Sequence, residues 1–211
     1  PEGVYQAEPA EFGYFSGLTA QGRLALTQKD LAPYQAVLEY CQRENIHILT
    51  VSDAEYPRRL RNIYDPPLVL YYKGTFPQFD GAPAISIVGT RKSTAYGQSV
   101  AGRMGAEISA CGGIVVSGLA AGIDAAAMTG ALQTGRPTVG VLGTGVDVVY
   151  PRENRELFRR VEQCGCILSE FLPKTTGFKW NFPKRNRIIS GLSVATVVIE
   201  APERSGALNT A

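Results

Sequence analysis

Between Lys174 and Arg187 the chain reads KTTGFKWNFPKRNR, with the cations Lys174, Lys179, Lys184, Arg185 and Arg187, no acidic residue, and the rings Phe178, Trp180 and Phe182. Cations neutralise phosphates and aromatic faces stack on bases, so together they supply what a single-stranded nucleic-acid site needs. A solvated basic loop with its rings tucked into the core has the same composition. The elements around the segment have to decide between the two.

A second set of candidates is small and polar: Gly89-Thr90-Arg91-Lys92-Ser93, Ser117-Gly118-Leu119-Ala120-Ala121-Gly122, Gly143-Thr144-Gly145 and Ser205-Gly206. Glycine lets backbone approach an anion closely, and the N–H groups at a helix start add donors and a positive dipole end. Any one of these is an ordinary tight turn. Four on one sheet edge, with Arg91 in the first, make a phosphate-binding rim.

The elements that carry these loops are readable from periodicity. Ala84 to Val88, Ile114 to Ser117, Thr138 to Leu142, Cys166 to Ser169 and Val194 to Glu200 are short apolar, β-branched runs, with helical stretches between several of them, clearest at Ala95 to Cys111. Strands alternating with helices predict an α/β fold with a mostly parallel sheet covered on both faces, and ligands then bind at the carboxyl ends of the strands. Upstream, helices are predicted at Thr19 to Leu26 and Tyr34 to Glu44, a short apolar piece at His47 to Val51, and a strand at Leu68 to Tyr72 after Pro66-Pro67. A helix start is predicted at Ile188 to Ser193.

Composition narrows the ligand. The 211 residues, 45% hydrophobic and 19% charged, suffice for one core and a small satellite domain. The net charge of +2 is uneven: residues 1–80 hold seven Lys/Arg against ten Asp/Glu, so the basic excess lies downstream. No apolar run reaches the length of a membrane helix, the start lacks a signal-peptide layout, and Cys41, Cys111, Cys164 and Cys166 have no C-x-x-C spacing, with His47 the one histidine. A cytoplasmic protein with free thiols and no metal or cofactor is expected. The dinucleotide fingerprint G-x-G-x-x-G is missing after the first strand, Val148 stands where Gly143-Thr144-Gly145 would need its third glycine, and no G-x-x-x-x-G-K-[ST] occurs. Asp124 and Asp147 read as helix-start and turn residues, and no nucleophile–base pair can be named, so no catalytic residue is assigned.

Four segments together closely resemble the DNA-processing protein A family (DprA, also called Smf): Ile87-Val88-Gly89-Thr90-Arg91; Val116 through Gly118-Leu119-Ala120-Ala121-Gly122-Ile123-Asp124; Gly143 through Asp147 to Tyr150-Pro151; and Asn181-Phe182-Pro183-Lys184-Arg185-Asn186-Arg187-Ile188-Ile189-Ser190-Gly191-Leu192-Ser193. Tyr56-Pro57, Asp65-Pro66-Pro67 and Tyr72-Lys73-Gly74 fit the same family. The resemblance implies a Rossmann-like DNA-binding domain over residues 53–211, ending short, behind an incomplete helical domain of sterile-alpha-motif type over residues 1–52. It implies a single-stranded DNA binder of natural transformation that protects incoming DNA and helps load a RecA-type recombinase. The full-length protein would be a homodimer through its C-terminal part.

By the same resemblance Arg91 grips phosphate, Lys179 is the second key cation, Phe182 meets a base, Ser205-Gly206 offer backbone N–H groups, and Arg152 adds charge after Tyr150-Pro151. Gly89, Thr90, Ser117, Gly118 and Gly122 complete the rim. Lys184, Arg185 and Arg187 stay open between contact and support, and Asn186 with Arg187 equally fits a brace. Two departures stand out: Ala121, where many members carry Lys or Arg, and Met128, where histidine is frequent. The competing class is a nucleotide-processing enzyme on a similar sheet, of the phosphoribohydrolase (lysine-decarboxylase-like) type, but its P-G-G-x-G-T-x-x-E loop is absent. A scaffold with a vestigial pocket is the third.

Overall fold

Runs of four to six residues rich in valine and isoleucine bury themselves by pairing. Seven of them form one sheet in the computed structural model of the chain, which describes residues 2–203 and 205–210. In chain order the elements are α1 (Glu2–Gln6), α2 (Ala20–Thr27), α3 (Ala32–Arg43), β1 (His47–Thr50), α4 (Arg58–Arg61), β2 (Val69–Gly74), β3 (Ala84–Gly89) and α5 (Ala95–Ala110). There follow β4 (Ile114–Ser117), α6 (Ile123–Ala131), β5 (Thr138–Val141), α7 (Arg155–Cys164), β6 (Cys166–Ser169), α8 (Asn181–Leu192) and β7 (Ala195–Ile199). The sheet order is β1-β2-β6-β5-β4-β3-β7. Strands β3 to β7 pair in parallel, while β2 joins β6 and β1 joins β2 antiparallel. The expected Rossmann-like, mostly parallel sheet is present.

Side chains alternate along each strand, and the alternation sorts two cores. Ile114 and Val116 of β4, Val139 and Val141 of β5, and Cys166 and Leu168 of β6 face one side, with Tyr56, Leu60, Ile188, Ile189 and Leu192. Ile87, Val115 and Ile167 face the other, with Ile123, Ala127, Phe158 and Val161 from α6 and α7. Helices thus cover both faces, and the strand ends are left to their loops.

The chain divides into compact units Pro1–Tyr40 and Cys41–Ala211. The sequence reading parts the domains at 52/53, twelve residues later. The difference is β1, whose His47 to Thr50 pair with Tyr72 to Val69 and tie this piece to the sheet. In the first unit the Thr19 hydroxyl accepts the Gly22 N–H to start α2, and the Lys29 ammonium donates to the Tyr5 and Ala7 carbonyls.

Helix α8 differs from expectation. It begins at Asn181, seven residues before the predicted start, and takes Pro183 into its first turn. Proline is tolerated there because the first turn's N–H groups have no intrahelical acceptor. The basic run is therefore half loop and half helix.

Candidate nucleic-acid interface

Three strand ends are stapled together from below by one carboxylate and one guanidinium. Asp124, in the first turn of α6, accepts the Gly89 N–H at the end of β3 (3.3 Å) and the Gly118 N–H just past β4 (3.1 Å). Arg185 of α8 donates to the Gly118 carbonyl (2.9 Å), to the Val141 carbonyl at the end of β5, and to Asn186 Oδ1 (3.2 Å). One residue, Gly118, is thus held through both its N–H and its carbonyl. A Cβ at Gly118 would lie 2.5–2.8 Å from the guanidinium, so glycine is required by close approach. Burial pushes the Asp124 carboxyl up, against the Arg185 charge and the amides of Gly89, Ala120 and Gly118. Burial likewise pushes Arg185 down to about 10, against the attraction of Asp124 and with the repulsion of Arg91, and it stays a cation at neutral pH.

Above this floor opens a cleft of about 780 Å³. Of the residues selected from sequence, Gly89, Thr90, Arg91, Lys179, Phe182, Arg185, Ser205 and Gly206 line it together. Arg91 and Lys179 are exposed, and the Arg91 guanidinium lies 5.5 Å from the centroid of the Phe182 ring. That ring is half-buried and fixed from behind. Tyr150 packs on it at 5.2 Å, and a Cβ at Gly143 would come within 2.8 Å of it, so the third loop must be glycine for the ring to settle. The Ser205 hydroxyl has no hydrogen-bond partner among the described residues.

The remaining selected residues are placed elsewhere. Ser117 is buried with its hydroxyl on the Ile87 carbonyl (2.7 Å), and Gly118 is buried under Arg185. Gly122 packs beneath the first loop, against the carbonyls of Thr90 and Arg91. Arg152 is exposed in a short 3-10 turn and does not line the cleft. Arg187 is a brace: it is bidentate to Glu170 at 2.7 Å and bonds Asp65 through both its carbonyl and its carboxylate. Lys184 is exposed, with its ammonium 3.7 Å from Glu170 and 5.8 Å from the Phe171 centroid. Arg185, selected from sequence as a contact, spends its donors on protein carbonyls and is 5% exposed.

Sequence reasoning named Lys92 in the first loop without assigning it a contact and missed the Tyr150 ring in the wall, although both adjoin selected residues. It also missed Glu200. This residue leaves β7 at φ +48°, and its carboxylate accepts the N–H (2.8 Å) and hydroxyl of Thr94, which itself caps α5 through the Gly97 N–H (3.0 Å). Those bonds from Thr94 hold the Glu200 carboxyl below its usual range. The helix start that would attract a nucleotide phosphate already has an anion. Among the described residues no group of side chains could hold a metal, no helix is long and apolar enough to cross a membrane, and the four cysteines are free.

The family model for DNA recombination-mediator protein A matches residues 47–211. The chain is 40% identical over 215 residues to protein Smf of Synechocystis sp., covering 100% of this chain and 54% of that protein. The X-ray structure of DNA processing protein A (DprA) from Streptococcus pneumoniae is similar with a TM-score of 0.81 at 33% identity, over 97% of this chain and 71% of that one. DNA processing protein A from Helicobacter pylori, a structure described for its unique single-stranded DNA binding mode, gives 0.71 at 28% identity over 78% and 74%. The chain spans little more than half the length of the first of these relatives.

Proposed function

We propose, for a chain that belongs to the DNA recombination-mediator protein A family, that its cleft binds single-stranded DNA. The observation that carries this is the grouping of Arg91, Lys179 and Phe182 on one cleft wall, with a cation over a ring whose back is packed. In this reading Arg91 and Lys179 hold successive phosphates. Phe182 meets a base, and the backbone of Ser205 and Gly206 closes the far side. Gly89, Thr90 and Lys92 complete the phosphate rim. Arg185 and Asp124 act as positioning residues, and so does Arg187.

Such a site selects single strands because a base must leave its stack to reach a recessed ring, and in a duplex that costs a few kcal/mol per base extracted. The role we assign is binding without chemistry. Among the described residues Asp124 is the one carboxylate in the cleft wall, and it is buried with both oxygens accepting backbone N–H groups. For the whole protein we extend the proposal, on family membership, to protection of incoming DNA in natural transformation, loading of a RecA-type recombinase, and a homodimer.

The test is anisotropy of a labelled oligothymidine, competed with unlabelled single strand and with duplex of equal length. Single strand should compete far better. Equal competition by duplex would reduce the cleft to an unspecific basic surface.

A further inference from the structure

The turn leading into α8 carries two rings that the cleft does not use. Phe178 and Trp180 are 52% and 73% exposed, yet their rings are parallel within 1° at a centroid separation of 6.5 Å. The backbone beneath them is fixed. Asn181 donates its N–H to the Phe178 carbonyl (3.0 Å), Lys184 donates to that of Trp180 (3.3 Å), and the buried Asn181 side chain donates to the Gly143 carbonyl (3.1 Å). Two large apolar faces in water, parallel to each other on a hydrogen-bonded turn, suit a flat ligand.

The surroundings say which flat ligand. Lys179 lies between the two rings in sequence, and Gly177, Lys179 and Phe182 of the same turn line the cleft. No carboxylate occurs from Lys174 to Arg187. A strand whose phosphate sits on Lys179 thus leaves the cleft beside these rings. We propose that Phe178 and Trp180 form a stacking platform for a second nucleobase, outside the cleft, on the strand whose first base meets Phe182. This rests on the single-stranded DNA reading above and extends the track beyond the cleft.

Trp180 is the one tryptophan of the chain, so its fluorescence reports on the platform alone. The experiment titrates the protein with oligothymidine and with an abasic phosphodiester chain of equal length, and repeats both with Trp180→Leu, Phe178→Leu and Arg91→Ala. Oligothymidine should quench Trp180 and the abasic chain should not. Trp180→Leu should bind oligothymidine about tenfold more weakly, a typical loss for one stacked base, and the abasic chain as before. Equal quenching by both chains would overturn the platform. So would full oligothymidine affinity in Trp180→Leu, in both cases leaving the cleft intact if Arg91→Ala still weakens binding. Failure of oligothymidine to bind at all would sink the cleft reading and the platform with it.

Discussion

The salt dependence of DNA binding should count the cleft's free cations. Among the described residues three exposed cations line the cleft, Arg91, Lys92 and Lys179. Each phosphate neutralised on a single strand contributes a slope of about −0.7 in log K against log salt, so three give about −2. Raising salt from about 50 to about 200 mM should then weaken binding about 20-fold. Arg91→Ala and Lys179→Ala should each flatten the slope by about 0.7 and cost about 1–3 kcal/mol, as for a charge-assisted contact. The buried Arg185 should not be counted, because its donors are already on Gly118 and Val141. The assay is anisotropy of labelled oligothymidine across a salt series for the three proteins. A flat response would refute phosphate tracking, and a wild-type slope near −3 would show that Arg185 or another cation reaches the strand. An unchanged slope in both variants would remove Arg91 and Lys179 from the site.

Phe182→Leu keeps an apolar side chain and removes the stacking face, so affinity should fall by about 1–3 kcal/mol with a smaller change in melting temperature; a sharp melting loss with affinity intact would make the ring purely core. Arg185→Ala strands the Asp124 carboxylate and two buried carbonyls, and should cost about 3–5 kcal/mol in urea unfolding, with a loss under about 1 kcal/mol contradicting the staple. Tyr56 is buried, donates to the Pro67 carbonyl at 2.7 Å, and is pushed up to about 12 by burial. The folded chain therefore keeps this proton longer than the unfolded one, so its contribution is complete below about pH 10, the ordinary phenol value, and fades as pH rises toward 12. Comparing alkaline unfolding of wild type and Tyr56→Phe checks the sign, since only the wild type should lose stability over that window through this residue. Finally, ATP or inorganic phosphate should weaken DNA binding no more than chloride of equal ionic strength. A specific competition would show that Glu200 does not hold the α5 start.

The strands were legible because buried strands announce themselves as short β-branched runs, and Ile114 to Ser117 and Cys166 to Ser169 were located to the residue. Loops at their carboxyl ends followed from topology. The fate of the basic run did not follow from composition, since counting charges does not reveal helix phase. The phase was nonetheless in the sequence: Arg185, Ile188, Ile189 and Leu192 stand at i, i+3, i+4 and i+7 and are all buried, while Lys184 and Arg187 fall off that face. Starting the helix at Ile188, where it begins at Asn181 and takes Pro183 as its third residue, concealed the pattern. Glu200 was invisible for another reason. Its partner Thr94 is 106 residues away, and only the parallel pairing of β3 with β7 brings the two together.

The carboxylate that β7 delivers to the start of α5 has a meaning for life among metabolites. A group that the fold holds beside its partner competes as an intramolecular ligand, and a free anion must displace it to bind there. Free nucleotides arriving at this end of the sheet meet a seat already taken, and by a charge of their own sign. What the fold surrenders is the reflex of its architecture, phosphate at the first helix. What it obtains, on the proposed single-stranded DNA reading, is insulation: a cleft beside a helix start that free nucleotides do not enter.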